Sequence, residues 1–361
     1  MFQNVFFKSI FSRLAKASAA TVFILSLFGF ASQSQAARDN SFASWQHEGW
    51  TYAQAETMGT RIAVTLWHED DAVVQQGIDA VLNEMQRINQ HFSPWIESSE
   101  LAQLNATAAK APVVLSEEMW LLISKSMWVS QVSQGAFDIT FASVGWHYDY
   151  RKEQQPSEED LKRLLPAVNY RGLLLDKQTK SLKYAHPDIR VDLGGIAKGY
   201  AVDNSITLLQ QLGIKHAMVS AGGDSRVLGD KRGRPWLVGI KNPRAQAEEK
   251  NTEPVIYLPL EDTAVSTSGD YERYFIDKSS GKRVHHIINP KTGESASGVI
   301  SVTVLADKGL DADPLSTTVF VLGVEKGLNL VNGLQGVDCI IIDASGKVHY
   351  STGLTPPEPE K

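Results

Sequence analysis

Residues 307–323 read DKGLDADPLSTTVFVLG, and the division of this stretch into turn and helix decides how the rest of the chain is arranged. Asp313 precedes Pro314 and an apolar run. Asp is a favoured N-cap, and proline suits the first helical position because its missing N–H would be unpaired there anyway. The pattern therefore predicts a helix over residues 314–322 with Asp313 at its cap. Thr317 falls four residues after Asp313, on the same face of the first turn. A carboxylate and a hydroxyl would then point together at a helix N-terminus, where phosphates bind readily. Both are hard oxygen donors suited to Mg²⁺, which takes few protein ligands and completes its shell with water and substrate phosphate. The same stretch also reads as an ordinary capped helix with no ion, so its neighbours must decide.

Around it, residues 299–306 are a predicted strand, 326–332 a further helix, and 337–343 with 347–350 a closing hairpin across Ala344-Ser345-Gly346. Earlier in the chain, residues 70–92 place Val74, Ile78, Val81, Met85 and Ile88 at helical spacing. A short helix closes at Asn105, and residues 116–133 form another helix with Ser116 as N-cap. Residues 189–192 are a predicted strand, and 194–212 a glycine turn running into a helix. Strand pairs mix with helices instead of alternating regularly, which indicates an α+β fold with mixed, largely antiparallel sheets and packed helices, not a doubly wound parallel sheet.

The chain has 361 residues with 35 Lys and Arg against 41 Asp and Glu. Lys8, Arg13 and Lys16 precede an apolar stretch over residues 17–31, and Ser34-Gln35-Ala36 is a small-x-small cleavage pattern. Residues 1–36 therefore read as a cleaved signal peptide. The apolar stretch is short of the ~20 residues that span a bilayer, so no stable membrane anchor is expected after cleavage. The remainder carries 32 basic and 41 acidic side chains, a net charge of −9. That balance argues against nucleic acid as a partner, which needs a cationic surface. The single cysteine, Cys339, lies in an apolar run. It can form no internal disulfide and reads as a buried small hydrophobe. No cysteine follows the leader to take a lipid. These features predict a soluble protein of a Gram-negative-type periplasm, with a domain over residues 37–354 and a frayed tail over 355–361.

Several short motifs carry chemical possibilities. Asp192-Leu193-Gly194-Gly195-Ile196-Ala197-Lys198-Gly199 enters a helix through glycines that let backbone N–H groups approach an anion. It is neither a Walker A loop nor a dinucleotide fingerprint. Gly222-Gly223-Asp224 follows a strand. Thr267-Ser268-Gly269-Asp270 supplies hydroxyls and a carboxylate in a loop. His285-His286 ends a strand ahead of Asn289-Pro290-Lys291-Thr292-Gly293. Adjacent strand residues face opposite sides, so only one of the two histidines can look into a given pocket, which argues against a two-His zinc site. Each motif alone also reads as a turn or a packed strand end.

Taken in order, MGT, SELxxLN, GAFD, DLGGIAKG, GGD, STSGDYERY, HHIINPKTG and D-x-x-x-T resemble the ApbE family, the FAD:protein FMN transferases. The resemblance spans residues 52–354 and implies a T-fold-like single catalytic domain. It further implies splitting of the FAD pyrophosphate, transfer of FMN to a threonine or serine hydroxyl of an acceptor protein, and release of AMP. The acceptors it implies are subunits of membrane redox complexes or other exported flavoproteins. By the same resemblance Asp313, Thr317 and the Ala197 carbonyl would hold Mg²⁺. Met58, Trp95, Ala136, Phe137 and Asp138 would line the FAD site, with Gly194, Lys198, Tyr200 and Ile287 along the same nucleotide. His286, with an ordinary imidazole pKa of about 6.5, is the expected general base or a positioning group for the flavin phosphate. Asp192, Asp224 and Asp270 are second-tier candidates. Pro314 stands where the family commonly has alanine, and the charged insertion at residues 244–252 is atypical. Two other activities are compatible with the same motifs: an Mg²⁺-dependent FAD pyrophosphatase releasing FMN and AMP, and a flavin-binding protein without chemistry.

Overall fold

The computed structural model describes residues 43–244 and 253–354. The leader, the tail and all of the charged insertion except Arg244 lie outside the described residues. The frame is a nine-stranded antiparallel sheet. In spatial order its strands are Ala43–His47, Trp50–Thr57, Thr60–Trp67, His216–Ala221, Asp224–Leu228, Ala264–Gly269, Val299–Ala306, Val337–Asp343 and Val348–Tyr350. Alternation along Thr60–Trp67 turns Ile62, Val64 and Leu66 into the main core. Against them pack Asp71–Phe92, whose Asp70 side chain caps Ala72 N–H, and Ala197–Gln211. Val299–Ala306 is buried along its whole length. The Gly309–Asn332 helix packs on it, and Leu305 also joins Ile240 and Leu258 of the separate Trp236–Ile240/Ile256–Leu260 hairpin. A strand covered on both faces reads as mostly apolar, and its two polar residues, Ser301 and Thr303, are buried with the rest. Cys339 is buried in the next strand, and burial pushes its thiol up to about 12.

Four local expectations are corrected. The helix holding Asp313 begins earlier, at Gly309, and runs to Asn332 with a break at Gly323 (φ 76°, ψ −175°). Asp313 is therefore one turn inside the helix and does not cap it. The cap comes from another element: Asp203 of the Ala197–Gln211 helix accepts the Gly309 and Leu310 N–H groups at 2.8 and 2.9 Å. Such a cap is invisible to a local pattern. Residues 189–192 form no strand. Their backbone is held by side chains instead: Asn105 donates to the Val191 carbonyl and accepts its N–H, both at 2.8 Å, and Ser143 Oγ accepts Arg190 N–H. Asn105 accordingly lies within the Glu100–Thr107 helix and does not close it. Finally, Thr267 and Ser268 belong to the Ala264–Gly269 strand, where pairing with Val299–Ala306 overrides their loop-like composition.

Candidate active site

A cavity of about 680 Å³ opens where the sheet, the Asp192–Gly199 turn and the Gly309–Asn332 helix meet. Its size is that of a small-molecule site. Asp313, Thr317, Ala197, Lys198, Gly194, Met58, Trp95, Ala136, Phe137, Asp138, His286 and Ile287 all line it. The shared pocket that links the helix pair to the glycine turn therefore exists.

The close approach of two helices builds the acidic wall. A Cβ on Gly199 would sit 2.1 Å from the Gly309 carbonyl oxygen, so only glycine fits there. This contact lets Gly199 N–H reach Asp313 Oδ2 at 2.9 Å. Gly199 is the third residue of its helix, where a backbone N–H has no partner within the helix, and Asp313 supplies one from outside. A Cβ on Gly195 would lie 3.8 Å from Thr317 Oγ1. Gly195 therefore runs beside the Thr317 hydroxyl, and Ala197, which also lines the cavity, opens the helix that follows. Hydroxyls complete this wall. Ser268 Oγ lies 2.8 Å from Ser316 Oγ and 3.3 Å from Thr317 Oγ1, and Ser316 donates to the Asp313 carbonyl.

Lys198 extends its ammonium into the same wall. Nζ donates to the Gly194 carbonyl at 2.8 Å, meets Asp224 Oδ2 at 2.9 Å, and lies 3.4 Å from each Asp313 carboxylate oxygen. Burial alone would lower the lysine pKa, but Asp224 and Asp313 outweigh it and hold it above the ordinary value. Asp313 is only 3% exposed. Its pKa is raised by burial first and by Asp224 second, against the pull of Lys198. Asp224 is equally buried, and its Oδ1 has no hydrogen-bond partner.

The opposite side is aromatic and glycine-rich. Trp95, 72% exposed, tilts onto Trp146 with ring centroids 5.3 Å apart. Trp146 Nε1 in turn donates to Asp192, which also accepts Gly194 N–H at 2.7 Å. Met58 and Gly59 form the tip of a two-residue hairpin with φ of 54° and 68°. Positive φ at both positions is the hairpin geometry, usually taken by Asn or Gly. Arg273 donates to the Gly59 carbonyl at 2.9 Å while its own carbonyl accepts His286 N–H, tying this tip to the histidine strand. Arg273 and Trp146 were not singled out from sequence; the first lay inside the quoted STSGDYERY motif.

The two histidines separate as the alternation requires. His285 is buried against Phe320, with Nε2 at 2.8 Å from the Ala296 carbonyl. His286 faces the cavity, but its pKa is not ordinary. Burial first, then Arg273, His285 and Lys198, push it down to about 3, and its Nδ1 has no partner. The ring is therefore neutral, the form that accepts a proton, and an anionic diphosphate in the cavity would raise its pKa again.

Other expected residues take different places. Tyr200 does not line the cavity; it packs in the core and donates to Glu118 at 2.5 Å. Its position three residues into the helix turns it away from the Lys198 face. Asp138 lines the cavity, but its carboxylate is occupied by Thr140 N–H and Oγ1 and by Tyr170 N–H. It shapes the Phe137 turn. Asp270 is paired bidentately with Arg244 at 2.7 Å, so the start of the insertion, distant in sequence, reaches the STSGD motif.

Among the described residues no group of three or more His, Cys, Asp or Glu side chains is gathered as a metal cage. The available donors are a carboxylate, a hydroxyl and backbone carbonyls beside an unsatisfied carboxylate oxygen. That hard, sparse oxygen set fits Mg²⁺ and would leave its remaining positions to water and phosphate.

Residues 58–341 match the ApbE family. A FAD:protein FMN transferase of Treponema pallidum is 31% identical over 322 residues, covering 84% of this chain and 87% of that protein. One from Haemophilus influenzae is 33% identical over 290 residues, covering 76% and 81%. The crystal structure of the Thermotoga maritima ApbE protein superposes with a TM-score of 0.75 at 30% identity, covering 87% of this chain and 98% of that one. The flavin transferase ApbE of Vibrio cholerae gives 0.71 at 28% identity, covering 84% and 97%. With its motifs gathered around one cavity and this likeness running over most of its length, the chain belongs to the ApbE family.

Proposed function

We propose that this protein is an FAD:protein FMN transferase, working in the periplasm on exported acceptor proteins that include subunits of membrane redox complexes. The observation that carries the reading is the convergence of Asp313, Thr317, Lys198 and His286 on one cavity large enough for a dinucleotide. In the reaction an acceptor threonine or serine oxygen attacks the flavin-side phosphorus of FAD. A phosphoester bond forms, the phosphoanhydride bond breaks, AMP leaves, and the hydroxyl proton passes to a base.

Asp313 and Thr317, with the Ala197 carbonyl, would hold Mg²⁺, which when bound supplies Lewis-acid neutralisation of the phosphate oxygens. The chain's own residues do the rest. Lys198, in the first turn of the Ala197–Gln211 helix, offers positive charge to the diphosphate beside the helix N-terminus. Trp95 and Trp146 present aromatic faces to a planar ring. Neutral His286 is placed to accept the hydroxyl proton, with Arg273 holding its backbone. Positioning and charge supply nearly all of the catalysis in phosphoryl-type transfers.

The test is incubation with FAD, Mg²⁺ and a candidate acceptor, followed by mass spectrometry for a covalent FMN adduct. Free FMN in place of the adduct would make the protein a pyrophosphatase. FAD left intact would make it a binding protein.

A further inference from the structure

The wall of the cavity holds two deeply buried carboxylates and one ammonium. Asp224 and Asp313 are each 3% exposed. Lys198 Nζ is the cation between them, and its bonds are unequal. The Gly194 carbonyl and Asp224 Oδ2 are held at 2.8 and 2.9 Å, whereas the approach to Asp313 is split between two oxygens at 3.4 Å. Three ammonium protons therefore serve four acceptors, and Asp313 receives the weakest share. Asp224 Oδ1 receives nothing. With both carboxylates ionised and the lysine protonated, the wall carries a net charge of −1.

We infer that Lys198 is a built-in stand-in for the divalent ion, holding the Asp313 carboxylate in the absence of metal and yielding it when metal and diphosphate arrive together. This rests on the flavin transferase reading. Charge counting gives the reason. A divalent ion added to the wall with Lys198 in place makes it +1, with the ammonium and the ion competing for one carboxylate. A diphosphate bearing two negative charges returns the total to −1 and gives the ammonium a new partner. Lys198 is tethered by Gly194 and Asp224, not by Asp313, so it can turn to the phosphate without losing its anchors. Metal and FAD would then each favour the other's binding, with equal coupling in both directions. Asp224, the residue that keeps Lys198 in reach, acts here as a positioning residue for the ammonium.

The experiment titrates Mn²⁺, followed by its electron paramagnetic resonance signal, into the wild-type protein and into Lys198→Met, in the absence of FAD. FAD binding is followed separately by flavin fluorescence with EDTA present, so that no turnover occurs. Removing the competing ammonium should tighten Mn²⁺ binding by about tenfold, within the usual range of site coupling, and weaken FAD binding in EDTA. Lys198→Met should also show a larger Mn²⁺-induced rise in Tm, because its two carboxylates then face each other unpaired. Lys198→Gln serves as a second variant if the first fails to fold. Unchanged or weaker Mn²⁺ binding in the folded variant overturns the stand-in role while leaving the transferase reading intact. A wild-type protein that takes up neither Mn²⁺ nor FAD overturns both.

Discussion

At the scale of single residues, Asp313 and His286 divide the work between charge and proton. Asp313→Asn keeps an oxygen for Gly199 N–H but removes the charge a cation needs. It should leave Tm within a few degrees of wild type and lower Mg²⁺-dependent adduct formation by ~100-fold or more, the scale seen when a group that stabilises developing charge is lost. Undiminished adduct would remove Asp313 from the mechanism. His286 makes a prediction with a definite sign. Its folded pKa of about 3 lies below the ordinary imidazole value of about 6.5. Between these values the unfolded chain binds more protons, so stability contributed by the neutral ring is complete above about 6.5 and is lost as pH falls towards 3. Wild-type Tm should therefore drop more steeply than that of His286→Asn between pH 7 and pH 5. Parallel curves would show that burial does not hold the ring neutral.

At the scale of elements, the site depends on how closely two helices cross. Gly199 and Gly309 let the backbones touch, and Asp203 closes the contact by capping the second helix and pairing with Arg226 at 2.8 Å. Gly199→Ala places a methyl group 2.1 Å from a carbonyl oxygen. It should cost several kcal/mol, beyond the ~1–3 kcal/mol of ordinary overpacking, and abolish Mn²⁺ binding even where the protein still folds. Thermal denaturation and metal titration on the same sample separate the two effects. Pro314 acts in the opposite sense. It sits in the second turn of its helix, where its missing N–H leaves the Leu310 carbonyl without a helical partner. Pro314→Ala should raise stability by up to ~3 kcal/mol, read as a higher Tm in thermal melts. A lower Tm would mean that packing of the buried ring outweighs the restored bond.

At the scale of the whole molecule, the cavity is assembled from segments far apart in the chain: the hairpin tip at Met58, the Trp95 loop, the turn at Gly194, the Gly222–Gly223 turn, the histidine strand and the Asp313 helix. A ligand touching all of them should stabilise the fold as a unit. FAD at ~100 times its Kd should add ~2.7 kcal/mol in the presence of Mg²⁺, seen as a rise in Tm that EDTA diminishes. A rise with no dependence on the metal would uncouple the ion from flavin binding.

Much of this was legible in the sequence wherever the signal was local. The spacing of Val74 to Ile88 marks a helix because burial of one face repeats every 3.6 residues. The breaks at Gly59, Gly222 and Gly323 follow from backbone angles that side chains oppose. The Asp313/Thr317 pair shares one helix face whatever surrounds it. Distant partners decided the rest. Asp203, not Asp313, caps the helix, because a side chain from a neighbouring helix reaches its first N–H groups. Asn105 and Ser143 hold an extended segment that pattern alone assigns to a sheet. The pKa of His286 falls because folding strips water from the ring and sets Arg273 beside it, and Lys198 finds its two carboxylates only when three elements converge. Local spacing reports which way a side chain points along its own element, whereas charge, solvation and partnership depend on what the fold brings to meet it.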